Sequence, residues 1–236
     1  MWEMYNELME KLPENCHILE IIQIKRRVYV KSESGYGSAM TFNETVIETN
    51  QFIGQKVKKI APLIKSWDFN LASMALAAMN SVFNNQKQIN KLENYSISQH
   101  DIFSEYANPT SRKIATVGYF RYIDRYPDLA DCVTVLELKA ISGTFPASAS
   151  EFILPNMDVV FITGSTLVNK TLPRLLTLSK NATTILVGGT VPLTPILFNY
   201  GIDIISTKLI DKWPPVREGS KMTGQSINIK NKGEFL

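Results

Sequence analysis

The chain has 236 residues, 44% hydrophobic and 20% charged, an ordinary composition for a folded protein with room for one large domain or two small ones. Its 25 basic and 22 acidic residues leave a charge of +3, too small and too scattered to argue for nucleic acid or an anionic membrane surface as a partner. Two cysteines, Cys16 and Cys132, exclude a disulfide framework. The acidic amphipathic start Met1-Trp2-Glu3-Met4 does not read as a secretion signal, and no apolar run is long enough to span a bilayer, so the expectation is a soluble cytoplasmic protein.

Met1 to Leu12 places Trp2, Tyr5, Leu8, Met9 and Leu12 at helical spacing, and Pro13 closes the helix. Ile18 to Ile24, Val28 to Lys31 and Ser38 to Phe42 alternate like strands, with Lys25-Arg26-Arg27 as a hairpin turn and Gly35-Tyr36-Gly37 as the next, which predicts a small antiparallel sheet. Gln55 to Lys65 reads as a helix disturbed by Pro62. Trp67 to Phe83 reads as a second one, with Asp68 or Asn70 as N-cap and small residues that allow close approach. Asn84 to Ser98 is rich in Asn and Gln and reads as a linker, with a domain boundary between about Asn84 and Pro109.

From Ser111 the texture changes. Apolar runs at Ile114 to Val117, Cys132 to Leu136, Val159 to Ile162, Thr184 to Val187 and Ile202 to Ile205 alternate with helical patterns near Arg121 to Ala130, Ala147 to Leu154, Leu172 to Ser179 and Pro195 to Tyr200. That alternation predicts α/β architecture, a Rossmann-like parallel sheet domain preceded by a smaller α+β domain. The expected division is 1–100 and 101–236, and in the tail from Trp213 only Ile227 to Ile229 suggests a strand.

Gly164-Ser165-Thr166-Leu167-Val168-Asn169, the preceding Gly143 to Ala149, and Val187-Gly188-Gly189-Thr190-Val191-Pro192-Leu193 resemble the putative heavy-metal chelation domain family. Ala75 to Ser81 and Gly35 to Thr41 resemble the domain that usually precedes it, which has a fold like the N-terminal domain of enolase. The resemblance implies a cleft between the two domains and a link to metal or metal-cofactor metabolism. The chain has only His17 and His100 as histidines and no Cys-x-x-Cys or His-x-x-x-His pair, so a soft-metal site of its own side chains is not expected.

Strand ends and the loops after them supply the candidate ligand-binding residues. Thr163, Gly164, Ser165, Thr166 and Asn169 put hydroxyls and N–H groups before a helix start, where they either hold an anion or merely cap the helix. Gly188, Gly189 and Thr190 form a second N–H cluster, and Gly143 a third loop expected on the same edge. On this reading, replacing Gly164 by Trp blocks the ligand and leaves the fold intact. Gly118 and Tyr119 end the first strand of the parallel half, and Glu137 ends the second about twenty positions later, where an acid can accept from a ribose hydroxyl. The loop lacks the further glycines of a dinucleotide cradle, which leaves an adenosyl-type ligand. Glu137, Lys139 and Tyr119 are the acid–base candidates at strand ends, and Glu137 and Lys139, two positions apart on a strand, face the same side, which suits an ion pair as well as a proton-transfer pair.

The metal candidates are His100 and Glu137, with Glu33 or Tyr36 as companions of His100. Cys16 and His17 point to opposite sides of an extended chain and do not suit one ion. No catalytic residue is assigned, and no nucleophile elbow, Walker loop or zincin helix is present. The expected function is binding of a small anionic ligand, metal ion or metal-bearing metabolite in the inter-domain cleft. The alternatives are an enzyme acting on a nucleotide- or adenosyl-like substrate at the same edge, and a homodimeric scaffold assembled through the apolar helix Leu71 to Phe83.

Overall fold

A computed structural model describes residues 2–107, 112–139, 141–215 and 224–231; Pro109, Ser111 and much of the tail after Trp213 lie outside them. Helix α1 (Glu3–Glu10) leads into strands β1 (Ile18–Ile24), β2 (Arg27–Ser32) and β3 (Gly35–Met40), an antiparallel sheet in that order. Pro62 divides the next predicted helix into α2 (Val57–Ile60) and a 3₁₀ turn, Ala61–Lys65. Helix α3 (Phe69–Phe83) follows, and its N-cap Asp68 accepts from the N–H groups of Asn70 at 2.9 Å and Leu71 at 3.2 Å.

The stretch expected as a linker instead folds into α4 (Gln86–Ile89) and strand β4 (Tyr95–Ser98). Then come β5 (Ile114–Val117), α5 (Pro127–Cys132), β6 (Thr134–Glu137), the two-residue β7 (Phe145–Pro146), α6 (Ser150–Ile153), β8 (Val159–Thr163), α7 (Ser165–Val168), α8 (Leu172–Leu178), β9 (Thr183–Val187), β10 (Ile204–Leu209) and β11 (Gln225–Asn231). The second sheet has eight strands in the order β4-β11-β10-β9-β8-β5-β6-β7. From β7 to β10 every neighbour is parallel, while β11 and β4 add an antiparallel edge.

Counted from β5, the parallel strands run third, second, first, fourth, fifth, sixth, the order of a doubly wound dinucleotide-type sheet. The winding reverses between β5 and β8. Their carboxyl ends therefore flank the crevice where ligands of such sheets bind.

Helix α3 is the spacer between the two sheets. Every residue from Ala72 to Phe83 is buried, so no apolar face is left to pair with a second copy, as the scaffold reading required. Close approach to β3 depends on Gly37, where a Cβ would lie 2.1 Å from the Ala77 carbonyl oxygen and 2.2 Å from Ser81 N. One core joins α1, the first sheet, α3, α7, α8 and one face of the large sheet. A smaller core covers the other face with Ile102, Phe103, Tyr106, Ile123 and Leu129. No helix among the described residues is long and apolar enough to cross a membrane.

Candidate functional site

The crevice begins at Gly118, whose φ of +102° turns the chain out of β5 while its N–H donates to Leu136 O at 2.8 Å. A Cβ there would sit 3.1 Å from Thr163 Cγ2, so the loops after β5 and β8 touch at the reversal. Glu137 closes the far side. One carboxylate oxygen accepts from Tyr119 N at 2.6 Å and the other from Leu138 N at 3.1 Å. Among the described residues Glu137 forms no ion pair with Lys139, because β6 ends at Glu137 and the two residues no longer share a strand face. The Tyr119 phenol donates to both oxygens of Asp124 at 3.0 Å, and that acceptor raises its pKa above the ordinary tyrosine value.

At the end of β8 the hydroxyls are engaged locally. Thr163 Oγ1 and Ser165 Oγ lie 2.9 Å apart, and Thr166 Oγ1 donates to Thr163 O at 2.7 Å. Asn169 Oδ1 accepts from Thr171 N at 3.1 Å and Thr171 Oγ1 at 2.7 Å, which fixes the entry into α8. Thr166 and Asn169 thus shape helix starts, whereas the Thr163–Ser165 pair is partly exposed at the crevice. Gly164 has φ −59° and is packed against the loop after β9, with Val191 Cγ2 2.6 Å from an added Cβ. Tryptophan at Gly164 would therefore disrupt packing as well as any ligand.

The loop after β9 is a seam between the two halves. Ser38 Oγ donates to Gly189 O at 2.8 Å, Met40 N donates to Thr190 Oγ1 at 3.0 Å, and Asn80 Nδ2 donates to Thr190 O at 2.9 Å. Ser165 Oγ in turn reaches Met40 Sδ at 3.9 Å. Gly188, at φ +115°, faces open space. Gly143 does not join this edge. It lies in the exposed turn before β7, three strand positions from β8, roughly 14 Å at ordinary strand spacing.

Sequence reasoning missed Arg27. It was grouped with the Lys25-Arg26-Arg27 turn, but the pairing of β2 with β3 sets it opposite Met40, and its Nη1 donates to Ser38 Oγ at 3.3 Å. Burial lowers the guanidinium pKa, against the raising effect of the Tyr29 and Tyr122 phenols. Lys208, on β10, is lowered first by burial and then by the charge of Arg27, with Asp211 opposing. The signal available in sequence was a basic residue at a hairpin end. Only the long-range register shows which of the three turns inward.

The metal candidates are dispersed. His100 pairs with Glu105, whose other oxygen takes Lys230 at 2.6 Å; burial raises the Glu105 pKa, but Lys230 and His100 together leave it lowered. Glu33 pairs instead with His17 at 3.2 Å, and Tyr36 stacks on Trp213. Cys16 is buried against Ser34 Oγ at 3.1 Å. Among the described residues no three His, Cys, Asp or Glu side chains come together as a cation site. A bare heavy-metal ion held by the described side chains alone does not fit that donor set.

Two family profiles match the chain, over residues 5–83 (DUF4213) and 101–232 (DUF364), and both are described as putative heavy-metal chelation. The chain belongs to the putative heavy-metal chelation family. Within that family it is similar to a protein of unknown function from Desulfitobacterium hafniense, 31% identical with a TM-score of 0.87 over 98% of each chain. A Pyrococcus horikoshii family structure shares the fold, at 20% identity and a TM-score of 0.75 over 90% of this chain and 88% of that one. An uncharacterized protein of Methanocaldococcus jannaschii is 53% identical over 62 residues, 25% of this chain and 24% of the relative, so the match spans about a quarter of that protein. The family description suggests metal binding as the general role.

Proposed function

We propose that the protein binds a small anionic ligand, or a metal presented inside such a ligand, in the cleft between its two halves at the carboxyl ends of β5, β8 and β9. In this reading the halves divide near residue 100. The observation that carries it is the contact of Gly118 with Thr163 at the strand-order reversal, beside the Thr163–Ser165 hydroxyl pair and the open face of Gly188. Backbone and hydroxyl donors of this kind suit an oxygen-rich ligand. The dispersed donor set supports delivery of the metal as a complex rather than as a naked ion.

Native mass spectrometry of protein purified gently from its own source tests this. The expected result is an intact mass above the sequence mass, with the increment lost from Ser165→Ala combined with Thr163→Val. A bare mass, with no adduct formed in a screen of anions, chelates and divalent metals, overturns the reading.

A second reading is an enzyme acting on an adenosyl- or nucleotide-like substrate, favoured by Glu137 at the end of the second parallel strand beside the Gly118 loop. An organic increment containing adenine, sensitive to Glu137→Gln, supports it. Adenosine-independent binding excludes it.

A further inference from the structure

We propose that Arg27 is the specificity-determining residue of the cleft, its guanidinium receiving a phosphate- or carboxylate-type oxyanion beside the Gly188-Gly189 turn. The inference rests on the strand-edge reading and adds to it the ligand's charge and the side chain that reads it. Arg27 Nη1 donates to Ser38 Oγ at 3.3 Å, and Ser38 Oγ donates to Gly189 O at 2.8 Å, so one hydroxyl joins the guanidinium to the turn. Arg27 also lies directly across the β2–β3 ladder from Met40, whose Sδ is 3.9 Å from Ser165 Oγ. Alternation along β3 puts Ser38 and Met40 on one face and the cross-strand pairing adds Arg27 to it, whereas Gly37 faces α3. That face is the wall that the first half of the molecule contributes to the cleft.

A guanidinium offers several N–H donors in a planar fork. Among the described residues Ser38 Oγ is the one acceptor that Arg27 meets, and no carboxylate pairs with it. Arg27 is nevertheless drawn far enough from water that burial lowers its pKa, against the raising effect of the Tyr29 and Tyr122 phenols. Holding a charge there without a counter-ion costs stability, and a bound anion offsets that cost. The adjoining turn supplies a matching donor. Gly188 O accepts from Val191 N at 2.9 Å and from Thr207 Oγ1 at 3.3 Å, so a planar trans peptide points the Gly189 N–H away from both. Among the described residues that N–H meets no protein acceptor. A planar fork beside a backbone N–H suits a group with at least two anionic oxygens.

Isothermal titration of the full chain with inorganic phosphate, citrate, nickel citrate and free nickel, at constant ionic strength, tests this. The expected result is that phosphate, citrate or nickel citrate binds the wild type, is weakened at least tenfold by Arg27→Gln, and is partly kept by Arg27→Lys, which retains the charge but not the fork. Phosphate binding points to a phosphate or phosphoester ligand, citrate to a polycarboxylate, and nickel citrate without citrate alone to a chelated metal. Ser165→Ala combined with Thr163→Val, titrated in parallel, separates the two readings. Anion binding lost in that double variant but unchanged in Arg27→Gln overturns the role of Arg27 and leaves the strand-edge site standing. Binding lost in Arg27→Gln alone keeps Arg27 and moves the site off the hydroxyl pair. A wild type that takes none of the anions, or only free nickel, overturns the inference. If Arg27→Gln fails to fold, as judged by its melting transition, phenylglyoxal labelling of the wild type read by peptide mass mapping decides: the anion should protect Arg27, and labelling of Arg27 unchanged by the anion overturns its role.

Discussion

Asn80, in the middle of α3, donates from one amide nitrogen both to Ser38 O at 3.0 Å and to Thr190 O at 2.9 Å, and so holds the small sheet and the loop after β9 in one geometry. The residue is fully buried. Asn80→Ala leaves two carbonyls short of a donor at the seam, and the expected loss is about 1–3 kcal/mol in urea unfolding. Because the loop it releases carries Gly188 and Gly189, ligand binding should weaken more than the melting temperature alone suggests. Unchanged stability in Asn80→Ala removes Asn80 from this role.

Gly37→Ala should be far more damaging than its single methyl implies. The added carbon meets helix backbone, Ala77 O at 2.1 Å and Ser81 N at 2.2 Å, and backbone has no rotamer by which to move aside. Helix α3 has to shift away from β3, at a cost of at least about 3 kcal/mol, the upper part of the range for overpacked cores. Circular dichroism melts of Gly37→Ala against Gly54→Ala, whose site has nothing within 4 Å, separate steric overlap from backbone conformation, since only Gly54 has a strained positive φ.

The two glycines of the proposed cleft should respond in opposite ways. Gly164 has ordinary helical torsions but no room, with Val191 Cγ2 2.6 Å from a built Cβ, so Gly164→Ala is expected to lower stability and disturb the Thr190–Val191 loop. Gly188 has room but a φ of +115°, so Gly188→Ala costs about 1–2 kcal/mol through the backbone alone. Its methyl points toward the space assigned to the ligand. Titration of the folded Gly188→Ala protein should therefore show weakened binding, and wild-type affinity there would move the ligand elsewhere.

How much of this was legible before folding depends on the range of the interactions. The N-cap at Asp68, the buried small-residue helix after it and the apolar strands β5, β8 and β9 are local patterns, and they stand where the periodicity put them. Strand β4 was read as a linker because its polar residues pair with β11, far along the chain: Asn228 Nδ2 to Ser98 Oγ spans 130 positions. Arg27 was hidden for the same reason. A hairpin's sequence shows that basic residues gather there, while only the seating of β3 on the loop after β9 turns one of them inward. Gly143 was placed on the ligand edge because β7, two residues long, carries no strand pattern to show that another parallel strand follows it.

Lys170 gives the seam a pH dependence. It adopts φ +64° between α7 and α8, and its amine donates to Ser66 O and lies 4.9 Å from the Phe69 ring centroid and 5.7 Å from that of Trp67. Burial draws its pKa down to about 8, with Asp68 opposing, whereas in the unfolded chain a lysine titrates near 10.4. Between those values the unfolded state binds more protons than the folded one, so the contribution of Lys170 to stability increases as pH rises through that window. Below about pH 8 the buried charge is a standing penalty. Urea unfolding of wild type and Lys170→Met at intervals from pH 7 to 10.5 isolates the effect, because the tyrosines common to both proteins cancel in the difference. That difference should move in favour of the wild type as pH rises; a difference flat across the range would mean that the amine is as well solvated in the native state as in the unfolded chain.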